Sequence, residues 1–396
     1  MIADFGTAPS RKVVRQLEEA GYEAVFVGGA VRDHLLGKEA SDFDIATSAM
    51  PEEVKQVFTH TIDVGIAHGT VMVMMDAEPI EVTTYRTEST YTDHRRPDEV
   101  NFVRSLKEDL QRRDFTMNAL ALTLNGELID PFGGMEDLQA SKIRAVGNAS
   151  DRFHEDALRM IRAVRFSSVL GFEIEDQTLQ AIEENAATIK HVSVERIKVE
   201  MDKLWKGSDP GKALSTIVDT RLSIHLPLFP NDARILSDCV PFATTEQGWS
   251  ALMLAGHFSA GDVAKAYKLS NREKAFLSDV QAAFDKRQSS FFTIDDYYQF
   301  SLEVLIAAEK IWQAFHQGGT GIPVQEMTRM KESLPICSKD DLKVDGKDLM
   351  AWTSQRGGRW LGEWMEKIEY AVLHRDCPND AEKIKEWFLN EYEHQK

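Results

Sequence analysis

Three cysteines in 396 residues, Cys239, Cys337 and Cys377, are too few and too widely spaced for a disulfide framework. They form no CxxC pair and no histidine-rich cluster accompanies them, so the reading is idle or buried thiols in a reducing compartment. No apolar run is long enough to span a bilayer, and no membrane association is expected. The first residues, Met1-Ile-Ala-Asp-Phe-Gly6, lack the basic-then-apolar pattern of a secretory leader. These absences together point to a soluble, cytoplasmic protein. Internal repeats and low-complexity segments are missing too. So is an overall basic footprint: 46 Lys and Arg face 64 Asp and Glu, a net charge of −18. That balance argues against a general nucleic-acid binder. It leaves room for a local basic groove on an acidic body, with RNA contacts concentrated in a few segments.

What is present falls into two parts. The first third alternates strand-like and helix-like stretches. Residues 10–20 read as a helix, Glu23-Ala-Val-Phe-Val27 as a strand, and Val31 to Leu36 as a short helix ended by Gly37. Asp42-Phe-Asp-Ile-Ala46, Gly69 to Met75 and Pro79 to Tyr85 read as further strands, rich in β-branched residues. Short connections favour a mainly antiparallel or mixed sheet. Thr87 to Val100 is a long polar loop, and loops of that length in compact domains tend to be functional. A strand pair flanks Asn125-Gly126. From about residue 150 helical periodicity takes over: Arg152–Leu170, Gln177–Ala187 and Ser193–Trp205 are strong helices. Breaks follow at Gly207 to Gly211, Pro227 to Pro230, Gly318 to Pro323 and Gly357-Gly358. The outline is an α/β head followed by an elongated all-helical remainder.

The head carries the chemistry. Asp42 and Asp44 are two apart on an expected strand, which points both carboxylates to one face and makes a chelate for a hard cation such as Mg²⁺. A solvated acidic turn is the alternative, and the upstream context weighs against it. Gly28-Gly29 follows an apolar strand and precedes a helix, so backbone N–H groups there can approach a triphosphate, and Arg32 can neutralise phosphate charge. Glu81 is the natural candidate for a third carboxylate, with an exposed strand glutamate as the other reading. Arg112-Arg-Asp-Phe-Thr-Met-Asn118 is expected to start a helix with Asp114 as its N-cap, and Arg113 can reach the triphosphate. In Glu155-Asp-Ala-Leu-Arg-Met-Ile-Arg-Ala-Val-Arg165, helical spacing puts Asp156, Arg159 and Arg162 on one broad face, with Arg165 toward its edge. A salt-bridged solvent face is one reading. The other is a protein surface that reads a base. Asp156 accepts from the exocyclic amine of cytosine or adenine and Arg159 donates to the neighbouring ring atom, while uracil and guanine leave buried polar groups unpaired.

Gly28-Gly-Ala-Val-Arg-Asp33, Asp42-Phe-Asp44, Arg112 to Ala119, Asp130-Pro-Phe-Gly-Gly134, Arg152 to Phe166 and Val192 to Ile197 together resemble the class II tRNA nucleotidyltransferases, the bacterial CCA-adding enzymes. The resemblance implies an α/β nucleotidyltransferase head over residues 1–148 and an elongated all-α remainder. That remainder would divide into a neck over 149–208, a body over 209–300 and a tail over 301–396. It implies Mg²⁺ held by Asp42 and Asp44. Gly28, Gly29, Arg32 and Arg113 would bind the nucleotide. Asp156, Arg159, Arg162 and Arg165 would form the amino-acid template for CTP and ATP, and the 87–100 loop would help switch from C to A. The expected partner is the 3′ end of tRNA, gripped by body and tail, with no protein partner implied.

Three rivals share parts of this pattern. Bacterial poly(A) polymerase has the same head and neck motifs, but a strongly basic C-terminal extension is absent here. A partial enzyme would add only CC or only A. A noncatalytic tRNA-binding protein would have no reason to keep Asp42, Asp44 and Asp156.

Overall fold

The computed structural model describes residues 5–40, 42–88, 100–230, 233–317 and 319–394. They divide into two compact units. The first comprises Met1–Thr245 with Ala266–Lys268, and the second Glu246–Lys265 with Leu269–Lys396.

The first unit opens with α1 (Ala8–Glu19), capped by the Thr7 hydroxyl and burying Val13, Val14 and Leu17. Then come β1 (Ala24–Val27), α2 (Gly29–Leu35), β2 (Asp44–Thr47), α3 (Pro51–Val57), β3 (Thr61–Gly65), β4 (Thr70–Met75) and β5 (Glu78–Thr84). A ribbon of β6 (Arg86–Glu88) and β7 (Val100–Phe102) leads to α4 (Leu106–Gln111), β8 (Ala121–Leu122), β9 (Leu128–Ile129), α5 (Gly134–Gln139) and β10 (Lys142–Ile143). The expected loop over 87–100 falls almost wholly on residues 89–99, outside those described.

Seven strands form one sheet in the order β3-β4-β5-β2-β1-β8-β9. Every neighbouring pair is antiparallel except β2 and β5, so the sheet is mixed, as the short connections suggested. β5 alternates cleanly: Ile80, Val82 and Thr84 are buried and Glu81 is exposed. The parallel register sets Ile45 beside Val82, so one step back Asp44 and Glu81 neighbour each other on the face away from that core. Beneath the site, Val25, Val27, Ala46, Tyr85, Leu110, Ala121 and Val146 pack as one cluster.

The rest of the first unit is helical but for the short β11 (Glu173–Ile174), which pairs with β10. Its main elements are α6 (Ala149–Glu155), α7 (Leu158–Leu170), α8 (Asp176–Asn185) and α9 (Val194–Trp205). Three expectations change. The single helix expected from Arg152 to Leu170 is broken at Asp156, whose backbone is extended (φ −143°, ψ 102°). The Asp156 carboxylate accepts the Leu158 N–H at 3.1 Å and so starts α7 afresh. Side-chain periodicity runs across the break, so the pattern did not reveal it. Residues 112–118 do not open an α-helix either. They follow one, α4, and end in a 3-10 turn at Thr116–Asn118. Finally, Asp42 precedes β2 rather than lying on it, because the strand begins at Asp44.

The second unit is helical. A buried Arg287–Glu309 ion pair at 2.6 Å joins Asn271–Ser289 to Leu302–Phe315. Arg287 also donates to the Thr320 carbonyl and lies over the Trp312 ring at 3.6 Å. No helix among the described residues is long and apolar enough to cross a membrane. All three cysteines are free thiols.

Candidate active site

A cleft of about 760 Å³ in the first unit gathers most of the residues singled out by their motifs. Gly28, Gly29, Arg32, Asp44, Arg113, Asp156, Arg159, Arg162 and Arg165 all line it. Asp42 and Glu81 do not, though both act electrostatically on Asp44. Nine Arg or Lys side chains line the cleft against three Asp, so a strongly basic pocket does sit on this acidic chain.

At the head end the backbone dictates the sequence. Gly28 caps α2 with φ +81°, a region that side chains rarely adopt. A methyl group there would lie 3.2 Å from Asp44 Oδ2 and 3.8 Å from Arg113 Nη1. Gly29 is less constrained: its only close neighbour is Arg32 Nη2 at 3.5 Å. Asp44 sits where β2 starts, opposite Val27 of β1. Partial desolvation and the negative charges of Glu81 and Asp42, only partly offset by Arg113, push its carboxyl up to about 6. A carboxylate repelled by its neighbours fits a site that gains a cation. Among the described residues, no three His, Cys, Asp or Glu side chains converge to enclose a metal.

The basic side chains are held in place from behind. Asp109, 1 % exposed, takes Arg112 at 2.7 Å and Arg113 at 3.2 Å, and accepts the Arg86 N–H. Burial alone would raise its carboxyl, and the two guanidiniums outweigh that. The Asn118 side chain accepts from Arg32 at 2.8 Å and donates to Asp114 at 3.0 Å, so it ties the Gly-Gly segment to the Arg-Arg segment. Asp114 in turn holds Arg162 of α7 at 2.7 Å. Burial would raise Asp114 also, but Arg162 and Asn118 hold it down at about 2.

At the helical end every template candidate has a protein partner. Arg196 of α9 grips Asp156 with both terminal nitrogens, at 2.6 and 3.3 Å. Arg159 pairs with Glu155 at 2.6 Å and donates to the Arg112 carbonyl at 2.9 Å. Glu200 of α9 reaches Arg165 at 2.8 Å and Arg162 at 3.4 Å. Arg165 lies 3.6 Å over the ring of Phe166. Burial pushes Arg165 down to about 10 against the pull of Glu200, so it stays charged at neutral pH. The face is therefore salt-bridged, as one reading of the run held, yet it lines a cleft instead of open solvent.

Sequence reasoning missed Asp109, Arg86, Arg196, Glu200 and Lys203. The last three recur at i, i+4 and i+7 on α9, a signal that was available in the helical pattern.

Family models match three stretches. Residues 24–144 match the poly A polymerase head domain. Residues 171–231 match a probable RNA and SrmB-binding site of polymerase A, and 240–388 a putative tRNA nucleotidyltransferase domain 2. Over 393 residues the chain is 44 % identical to a CCA-adding enzyme of a Geobacillus species, covering 96 % of this chain and 95 % of that one. It is 42 % identical over 381 residues to the CCA-adding enzyme of Bacillus cytotoxicus, covering 95 % and 96 %. Its structure resembles the Bacillus stearothermophilus CCA-adding enzyme in complex with CTP, with a TM-score of 0.82, 38 % identity and 98 % of both chains covered. The Thermotoga maritima CCA-adding enzyme complexed with tRNA shares the fold at 21 % identity and a TM-score of 0.70, over 96 % of this chain and 94 % of that one. With identity at this level along almost the whole chain, the protein belongs to the CCA-adding enzymes, the tRNA nucleotidyltransferases whose motifs it carries.

Proposed function

We propose that this chain adds C, C and A to the 3′ end of tRNA from CTP and ATP, without a nucleic-acid template, releasing pyrophosphate at each step. The observation that carries the reading is the single basic cleft with a carboxylate at one end and an Asp–Arg pair at the other. In this reading Asp44 and Asp42 hold Mg²⁺, with Glu81 beside them on the sheet. The ion, when bound, polarises the reacting phosphate and neutralises its charge. Arg32 and Arg113, approached over the bare backbone of Gly28 and Gly29, clamp the triphosphate. The primer 3′-hydroxyl attacks the α-phosphate and pyrophosphate leaves in line. Such an enzyme draws on CTP, ATP and tRNA and works in the cytoplasm.

Base choice follows from counting acceptor sites. An ionised carboxylate offers about four lone-pair positions. Arg196 occupies two of those on Asp156 and the Leu158 N–H a third. The Oδ2 oxygen keeps capacity for one further donor, and cytosine and adenine each bring one exocyclic amine. Arg159, fixed by Glu155 and the Arg112 carbonyl, supplies the complementary donor. Arg162 and Arg165 complete the positive wall.

The test is direct. The protein is incubated with Mg²⁺ and tRNA lacking its last three nucleotides, with each nucleoside triphosphate singly and together, and the 3′ ends are sequenced. Addition of C, C and A, stopping there, is expected. Long A tails would instead make the chain a poly(A) polymerase, and growth halted at CC a partial enzyme.

A further inference from the structure

The cleft has to receive two polyanions at once, a triphosphate and the 3′ strand of an RNA, and its cations are not equally available. Eight of the nine are engaged by the protein itself. Their partners are the carboxylates described above, Asp33 for Arg32, and the His68 carbonyl for Arg86. Lys203 is the exception among the described residues: it is exposed, lines the cleft, and no described carboxylate or carbonyl holds its ammonium group.

Its place on α9 is informative. Arg196, Glu200 and Lys203 form one stripe at i, i+4 and i+7. The first two positions brace Asp156, Arg162 and Arg165. Lys203 continues the stripe about 10 Å along the helix from Arg196, seven residues at ~1.5 Å each. The braced guanidiniums suit a triphosphate that binds the same way in every round. The primer strand differs: it slips by one nucleotide after each addition, so its phosphates are released and re-engaged between rounds. A contact to it has to tolerate movement, and a point charge on a flexible four-carbon stem does so where a fixed planar fork does not.

We propose that Lys203 binds a backbone phosphate of the RNA primer strand close to the nucleotide bearing the attacking 3′-hydroxyl. This rests on the cleft being a 3′-end nucleotidyl transfer site.

The full chain is compared with Lys203→Gln and Lys203→Arg using tRNA that lacks its last three nucleotides. Lys203→Gln is expected to raise KM for tRNA about three- to tenfold, with kcat and the KM for CTP and ATP within twofold of the parent. The log–log salt dependence of tRNA affinity should become shallower by about 0.7 to 0.9, the loss of one phosphate contact. Lys203→Arg should recover most of the affinity. An unchanged tRNA KM and salt slope overturns the proposal. So does a rise in KM for the nucleotides alone, which would place Lys203 on the triphosphate. Filter binding of tRNA without nucleotide tests Lys203 separately from catalysis: if the parent extends no RNA, the reading of the cleft fails, while a weaker, less salt-sensitive complex still establishes the contact.

Discussion

Asp114→Asn changes one charge and almost no volume, which makes it a clean probe of how the head is fastened to the helices behind it. The carboxylate is 9 % exposed and accepts four hydrogen bonds. Phe115 N and Asn118 Nδ2 reach Oδ1 at 2.8 and 3.0 Å. Arg162 Nη2 and Nε reach Oδ2 at 2.7 and 2.9 Å. Holding a carboxyl at about 2 instead of its ordinary 3.8 corresponds to about 2 kcal/mol of stability. The depressed value fixes the sign. That stability is fully present above the ordinary carboxylate range and is lost as pH falls from about 4 toward 2. The amide also leaves Arg162 with only the longer Glu200 contact at 3.4 Å. Breaking a buried pair costs roughly 3–5 kcal/mol, and Arg162 at 31 % side-chain exposure recovers part of that through solvent. About 2–3 kcal/mol is therefore expected. For a unit of this size that lowers Tm by roughly 5–10 °C.

Calorimetric melts of parent and variant at pH 7 and at pH 3 are the assay. The gap should be full at pH 7 and narrow at pH 3. Asp114 also anchors Asn118, which holds Arg32, so kcat/KM should fall for CTP and ATP together with the choice of base unchanged. A double-mutant cycle with Arg162→Met closes the argument. If Asp114→Asn melts within a degree of the parent, or the two substitutions add without coupling, Asp114 and Arg162 do not fasten the head.

Asp156→Ala should lower the preference for CTP over UTP by roughly 10- to 100-fold, seen in competition assays, and, because it also removes the α7 cap and the partner of Arg196, should cost about 1–2 kcal/mol of stability; unchanged selectivity would remove Asp156 from base reading. Asp44→Asn should lower nucleotidyl transfer by at least about 10³-fold with an unchanged circular dichroism spectrum, and chelation of divalent ions should abolish activity that added Mg²⁺ restores; residual activity near the parent's would exclude Asp44 from the metal site. Gly28→Ala meets both a positive φ and the Asp44 carboxylate, so a loss of about 1–3 kcal/mol and a sharp fall in kcat are expected, whereas Gly29→Ala should cost no more than a few tenths of a kcal/mol in stability. Equal denaturation midpoints for the two would contradict the geometry at that turn.

The parts of this molecule that were legible in sequence are those whose constraint is local. Gly28 must be glycine because of its own φ and the Asp44 oxygen beside it, and both residues fall inside one short strand–helix–strand pattern. The sheet strands announced themselves through short apolar, β-branched runs, and β5 also alternates between buried Ile80 and exposed Glu81. What stayed hidden is how charges divide among themselves. Arg112, Arg113, Arg159, Arg162 and Arg165 look interchangeable in a motif, each a possible phosphate clamp. In the fold Asp109 engages the first two, Glu155 the third, and Asp114 and Glu200 the others. The pairings of Arg162 and Arg165 cross 35 to 48 residues, for which no periodicity exists. The break at Asp156 was invisible for the same reason. Its extended backbone is stabilised by Arg196, 40 residues on, and by a cap that preserves the helical spacing on either side. A motif therefore identifies which cations surround a site but not which of them a ligand can claim. Here the cation that no described protein group claims is Lys203, one that no motif marked, and it is the more telling for that.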